Sequence, residues 1–312
     1  MNDIQWYLGE ETVHHHRDGL ITRREMIRRL VAICGTAAGA TAILASCSSD
    51  ATTVTATRAA TTAPATSPAS ATAAPPKPAG AKLSVGADDP VVKGGDITFS
   101  GPASTMLGYL VGPATGAPKG GVLVIHEIFG LTDHIKDVSR RLAKAGFTAL
   151  AVDLTSRSGG TAKGNVSGAL GQLSPADAIA DLTAGATFLR SQPGVKPSLG
   201  VTGFCYGGGM TLRSAANLAD VKAAVSYYGP TPDPAEQMKN AKAAILAHYG
   251  GNDARVNGGI AALEANLTTT FRKHIHDGAG HAFNNDTGGA YNEAVAVTAW
   301  AETLAWFNEH LV

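Results

Sequence analysis

The feature that most constrains this chain is a tight turn, Gly203, Phe204, Cys205, Tyr206, Gly207, Gly208, which closes the apolar run beginning at Leu199 and opens a helix-like stretch. A G-x-C-x-G spacing at a strand-to-helix junction brings the helix backbone against the strand, where a side chain at Gly203 or Gly207 would collide. A strand feeding a helix is half of a parallel crossover. The turn therefore predicts an α/β protein in which helices cover both faces of a mostly parallel sheet. It also leaves the Cys205 thiol at the carboxyl end of a strand, before a helix N-terminus whose free amides favour a thiolate. A lone cysteine is more often a small buried hydrophobe. Here the flanking glycines and the position in the turn favour a nucleophile.

The chain from Val91 to Val312 carries the pattern such a sheet needs. Gly121 to Ile125 and Phe147 to Val152 are continuous apolar runs with β-branched residues, as strands covered on both faces require. Further strands are expected at Leu199 to Phe204, Val221 to Tyr227, Ala243 to Tyr249 and Phe271 to His276. Ile135, Val138, Leu142 and Ala145 recur at three and four residues, which predicts a helix with Lys136, Arg140, Arg141 and Lys144 toward water. Ser174 and Pro175 read as the N-cap and first residue of another helix, reaching about Leu189. A last helix places Val297, Trp300, Leu304, Phe307 and Leu311 on one stripe, its tryptophans serving as core. Ligands of such a sheet bind beyond the carboxyl ends of its strands.

The first ninety residues read differently. Thr22, Arg23, Arg24, Glu25, Met26, Ile27, Arg28 resembles the twin-arginine export consensus, and a moderately apolar stretch, too short for a comfortable membrane span, runs from Leu30 to Leu44. Leu44, Ala45, Ser46, Cys47 resembles a bacterial lipobox, in which the cysteine is lipidated and becomes the mature N-terminus. Residues 1–46 are thus expected to be a signal peptide, removed together with Cys34 and the run His14, His15, His16. Residues 47–90 are expected to be a flexible tether, because Ser48 to Pro90 is 32 Ala, Thr, Ser and Pro out of 43 residues and cannot bury enough apolar surface to offset its ordering entropy. The expected product is an extracytoplasmic protein held at a membrane through a lipid on Cys47. Lys and Arg number 25 and Asp and Glu 25, so the chain has no basic excess to suit a nucleic acid.

A nucleophile needs a base and a group to orient it, and on this type of sheet both follow it in the chain. Asp253 lies after Gly250, Gly251 and Asn252 at the end of one expected strand, and His281 lies after Gly278, Ala279 and Gly280 at the end of the last. Taken singly, Asp253 could only cap a helix and His281 could only be solvated. With Cys205, three separate strand ends supply one set of chemically matched groups.

At these residues the chain resembles the dienelactone hydrolase family of the α/β-hydrolase fold. The marks are HEIFG at His126 to Gly130, DLxxR at Asp153 to Arg157, GFCYGG at Gly203 to Gly208, the Asp253 turn, and GHAF at Gly280 to Phe283. The resemblance implies a triad of Cys205, Asp253 and His281, and a glutamate, Glu127, beside the thiol that takes part in its activation. It further implies an oxyanion hole formed by the backbone N–H groups of Ile128 and Tyr206, and a substrate-carboxylate partner in Arg157. The family's second arginine, shortly after the catalytic histidine, has no counterpart, since Ala282, Phe283, Asn284, Asn285 and Asp286 follow His281. Neither cofactor nor metal is implied: HExxH is absent, His126, His274 and His276 lack ligand spacing, and the latter two are read as a solvated strand face. The expected activity is hydrolysis of a small-molecule ester or lactone through an acyl thioester. A general carboxylesterase or thioesterase is the alternative within the same chemistry, and a non-catalytic surface binding protein is the alternative outside it.

Overall fold

The computed structural model describes residues 1–17, 21–49 and 83–312. One eight-stranded sheet organises the chain from Val92 onward: β1 (Val92–Ser100), β2 (Thr105–Pro113), β3 (Gly121–Ile125), β4 (Thr148–Asp153), β5 (Leu199–Phe204), β6 (Val221–Tyr227), β7 (Ala244–Gly250) and β8 (Phe271–His276). Their spatial order is β1-β2-β4-β3-β5-β6-β7-β8. From β4 to β8 every neighbouring pair is parallel, whereas β1 and β2 add an antiparallel edge. This is the α/β-hydrolase arrangement.

The three central parallel strands β3, β4 and β5 are buried along their whole length, as continuous apolar runs demand. Strands β1 and β2 carry no such run. The first is exposed at most positions and the second mixes buried with half-buried ones, which is why the sequence pattern passes over both.

The helices are α1 (Asp3–Arg17), α2 (Arg23–Cys34), α3 (Ala37–Ser49), α4 (Asp133–Lys144), α5 (Val166–Gln172), α6 (Pro175–Arg190), α7 (Tyr206–Asn217), α8 (Ala254–Asn257), α9 (Ile260–Asn266) and α10 (Glu293–Leu311). Helix α4 buries Ile135, Val138 and Leu142, as its spacing predicts. Arg141, expected toward water, is instead buried and joined to Asp137 of its own helix and to Asp286 at 2.7 Å. A buried guanidinium requires such carboxylates, and Asp286 lies too far along the chain for periodicity to reveal it. Ser174 accepts from the Asp177 N–H and Pro175 opens α6, as expected. Trp306 is fully buried in α10 and Trp300 nearly so.

The packed chain begins upstream of Val91. Val85 is 3% exposed, and its N–H donates to Asp137 Oδ1 at 2.6 Å. The remainder of the expected tether, residues 50–82, lies outside the described residues.

The segment read as a leader folds here as α1, α2 and α3. Val13, Met26, Leu30, Ala40 and Ile43 make a small core of their own, while Ile4, Tyr7, Leu8 and Ile33 enter the main one. Gln5 Nε2 donates to the Gly171 carbonyl at 2.9 Å, and α2 runs so close to α5 that a Cβ on Gly171 would lie 2.7 Å from the Ile33 backbone. No single described helix is long and apolar enough to cross a membrane; Arg23–Cys34 and Ala37–Cys47 pass that test only as a pair bent by 118°.

Candidate active site

Cys205 stands between β5 and α7 with φ 56° and ψ −120°. A side chain in this left-handed region is strained, and it is held there by what surrounds it. The Cys205 N–H donates to the Tyr227 carbonyl at 3.1 Å. A Cβ on Gly203 would strike the Gly207 carbonyl, and one on Gly207 would strike the carbonyl of Ile125 on β3, so only glycine lets the helix sit this close to the sheet. Among the described residues, three non-glycines have positive φ, namely Cys205, Tyr228 (39°) and Ala282 (61°), and all three belong to this site. Strain is concentrated where the reacting groups are presented.

The turn after β7 supplies Asp253, and the loop after β8 supplies His281. Their side chains meet, His281 Nδ1 lying 2.5 Å from Asp253 Oδ2. A ring nitrogen of His281, the Cys205 sulfur and a Glu11 carboxylate oxygen all lie within 4.8 Å of one another. Burial alone would lower the His281 imidazole. The Glu11 carboxylate, Cys205 and the Asp253 hydrogen bond outweigh it and hold the group well above its ordinary value. Burial pushes the Cys205 thiol up, and Glu11 adds to this, while His281 pulls the other way. The thiol is therefore kept neutral until something displaces its surroundings.

Glu127 is 2% exposed at the end of β3. Its two oxygens are taken by Asn285 Nδ2 at 2.7 Å and by the Tyr228 hydroxyl at 3.3 Å, and burial raises its carboxyl. The hydroxyl on the sulfur belongs instead to Tyr7 of α1, whose oxygen is 3.2 Å from Cys205 Sγ. Ile128 lies in the turn after β3, and Tyr206 is the first residue of α7, so both backbones border the sulfur's end of the sheet.

Arg157, expected to face a substrate carboxylate, is committed elsewhere. Its guanidinium forks onto Asp181 at 2.9 and 3.0 Å and meets Asp177 Oδ1 at 2.9 Å, both on α6. Two carboxylates already use its donors, and the DLxxR pattern cannot show this because α6 lies twenty and more residues downstream.

The structure adds residues that sequence reasoning missed. Arg255, two places after Asp253, is ion-paired to Glu11 and stacked over the Tyr7 ring, its charge centre 4.7 Å from the centroid. Asp286 is held by Arg141 and by His134 Nδ1 at 3.0 Å, so α4 anchors the loop that carries His281. A sequence signal for the α1 contacts did exist. Ile4, Tyr7, Leu8, Glu11 and His15 recur at three and four residues, which puts a carboxylate on a buried stripe.

A cavity of about 280 Å³ is lined by Glu11 and His15 of α1 together with Asp253, Arg255 and His281. Glu11 Oε1 stands 3.6 Å from His281 Nε2.

Comparison with known proteins agrees with this architecture. Residues 106–311 match the model of the dienelactone hydrolase family. The chain is 32% identical over 257 residues to a Methylorubrum extorquens protein named "Putative carboxymethylenebutenolidase", an alignment spanning 75% of this chain and 87% of that one. The crystal structure of a Klebsiella pneumoniae "Putative Dienelactone Hydrolase" superposes with a TM-score of 0.66 at 29% identity, covering 70% of this chain and 99% of the other. That of a dienelactone hydrolase from Anabaena variabilis gives 0.57 at 25% identity, covering 71% and 100%. With the glycine-framed cysteine turn, the sheet order and a family match across two thirds of its length, the chain belongs to the dienelactone hydrolase family, hydrolases of ester and lactone bonds.

Proposed function

We propose that Cys205, His281 and Asp253 hydrolyse a small-molecule ester or lactone through an acyl thioester. The observation that carries this reading is a strained, glycine-framed thiol within 4.8 Å of a histidine that is itself bound 2.5 Å from a carboxylate. Once Glu11 is displaced and the His281 ring is neutral, His281 takes the thiol proton as sulfur attacks the carbonyl carbon, and the Ile128 and Tyr206 N–H groups receive the charge that develops on oxygen. Collapse of the tetrahedral adduct expels the alkoxide, which takes that proton from the His281 imidazolium. Water, activated by the same imidazole, then cleaves the thioester and releases the acid. Asp253 keeps His281 in the tautomer and orientation this requires. Glu127, held by Asn285 and Tyr228, is a buried negative charge that disfavours premature thiolate formation. With Arg157 engaged by α6, neutral esters are expected alongside acidic ones. The test is titration with a thiol-alkylating ester analogue alongside a hydrolysis screen over lactones, aryl esters and acyl thioesters. One equivalent of label at Cys205 should abolish all turnover, and Cys205→Ala should be inert with an unchanged circular dichroism spectrum. Turnover by Cys205→Ala would overturn the mechanism, and a folded, alkylatable but inactive protein would favour the binding-protein alternative.

A second reading is favoured by the contact of Tyr7 with Cys205. We infer that the form with α1 in place is a resting form, in which Tyr7 and Glu11 occupy the space a substrate carbonyl needs. Twin-arginine export and processing before Cys47 would remove residues 1–46, and with them both side chains. The lipid-anchored extracytoplasmic product would then have an open site, so that processing would couple location to activity. Cys47→Ala should release the processed protein from membranes, and an unmodified Cys47 in membrane-bound protein would refute the anchor.

A further inference from the structure

A second cluster of chemically capable side chains lies outside the catalytic groups. In the register of β7 with β8, His248 is paired with His274 and Gly250 with His276, so the three histidines share one face of the sheet edge. The latter two, expected from sequence to be solvated, are partly buried. His274 and His276 stack on each other and on the fully buried ring of His248, and α10 lays Glu302 against them.

We propose that His248, His276 and Glu302, with His274 beside them, bind a divalent transition-metal ion of the zinc type. The ligand atoms of the first three all lie within 4.8 Å of one another. His248 Nδ1 is 3.2 Å from His276 Nε2 and 3.6 Å from Glu302 Oε2. A tetrahedral ion with bonds of about 2.0–2.1 Å separates its ligand atoms by about 3.3–3.4 Å, so two of the contacts already approach that spacing. His274 Nδ1 is 3.5 Å from Glu302 Oε1, placed to orient the carboxylate or to complete the coordination.

The surroundings of His248 set its tautomer. The Thr303 hydroxyl spends its one hydrogen on the Ala299 carbonyl at 2.8 Å and accepts from the Tyr227 hydroxyl at 2.6 Å. Toward His248 Nε2, at 3.4 Å, it can only accept. Nε2 therefore carries the hydrogen and Nδ1 offers a lone pair to the cluster, which is the arrangement metal-binding histidines adopt when their second nitrogen is tied to an outer partner. His276 can give one hydrogen to that lone pair. Glu302 Oε2 is sealed from solvent and has no hydrogen-bond partner, an expensive state for a carboxylate oxygen that a shared cation would relieve. Imidazole and carboxylate together suit zinc, nickel or copper rather than calcium or magnesium.

Such an ion would tie α10 to the last two strands, close to the catalytic loop. The Phe283 ring, two residues past His281, packs on His276 at 5.3 Å. The site would thus steady the end of β8 from which His281 projects without touching the substrate.

The test uses the full chain as Cys205→Ala, because Glu11, Cys205 and His281 form another set of donors within 4.8 Å and would compete for the ion. After treatment with a chelator, cobalt(II) and zinc are added while visible absorption, titration heat and thermal unfolding are followed. One equivalent of cobalt should bind with visible ligand-field bands and no sulfur-to-metal charge transfer. Saturating zinc should raise Tm on the order of 5–10 °C at a hundredfold excess over Kd. Glu302→Gln, which keeps volume, and His276→Asn should each weaken binding tenfold or more. Absence of binding at millimolar metal, or equal affinity in both variants, would overturn the proposal.

Discussion

The sheet domain and the N-terminal helices meet both at the Cys205 sulfur and along α5, and are held by different forces. The central strands β3, β4 and β5 are buried throughout, so their association rests on aliphatic surface removed from water over many residues. Helices α1 to α3 bury only Ile4, Tyr7, Leu8 and Ile33 in the main core, pack α2 closely on α5, and add polar contacts at the catalytic groups: Tyr7 on Cys205, and Glu11 between Arg255 and His281. A segment held in this way can be separable from the domain it covers. It can also occupy a reactive site closely, because its polar groups are matched to charges that the chemistry requires in any case.

Three experiments can break or sharpen that contrast. The largest effect is expected within the sheet domain. Asp253→Asn should lower kcat by about 10³–10⁴-fold, since the His281 ring loses the carboxylate that sets its tautomer. Steady-state kinetics of this variant should show the same proportional loss whether or not α1 is present. A loss confined to the chain that retains α1 would mean that the helix takes part in the chemistry.

The next effect belongs to the helices. A protease site placed between residues 51 and 82, cut after folding, should let residues 1–49 dissociate and raise both kcat/KM and the alkylation rate of Cys205 at least tenfold. A tenfold change corresponds to a docking preference of about 1.4 kcal/mol. Glu11→Ala should move the uncut chain in the same direction. Activity that falls on cutting would show that α1 completes the site and does not cover it.

The smallest effect tests where the contrast does not reach. Arg157 belongs to the domain yet lies off the site, so Arg157→Ala should leave the ratio of kcat/KM for an acidic ester and its methyl ester unchanged within about twofold. It should instead lower stability by about 1–3 kcal/mol, since Asp181 is left buried without its partner, and thermal unfolding will read this as a fall of a few degrees. A shifted substrate ratio would return Arg157 to the binding site.

Much of the domain could be read directly from residue order. Six of the eight strands were marked in the sequence, most plainly the central ones, because a strand covered on both faces has no polar positions to confuse its pattern. Strands β1 and β2 were not legible, since neither is a continuous buried run: β1 is an exposed edge strand and β2 mixes buried with half-buried positions. The G-x-C-x-G turn marked its own place because its glycines answer to local sterics, and Asp253 and His281 could be found because chain order at strand ends limits the candidates. The buried role of Arg141, the diversion of Arg157 to α6, the clasp of Asn285 and Tyr228 on Glu127, and the meeting of three histidines with Glu302 all join residues distant in sequence. None of these has a local cause. The same holds for the first helix: its residues read as a leader, and its stripe of Ile4, Tyr7, Leu8 and Glu11 shows that it has a face to bury. Which surface that face would cover was decided only in three dimensions, where Arg255 and His281 present positive charge beside the thiol and one buried carboxylate can satisfy both.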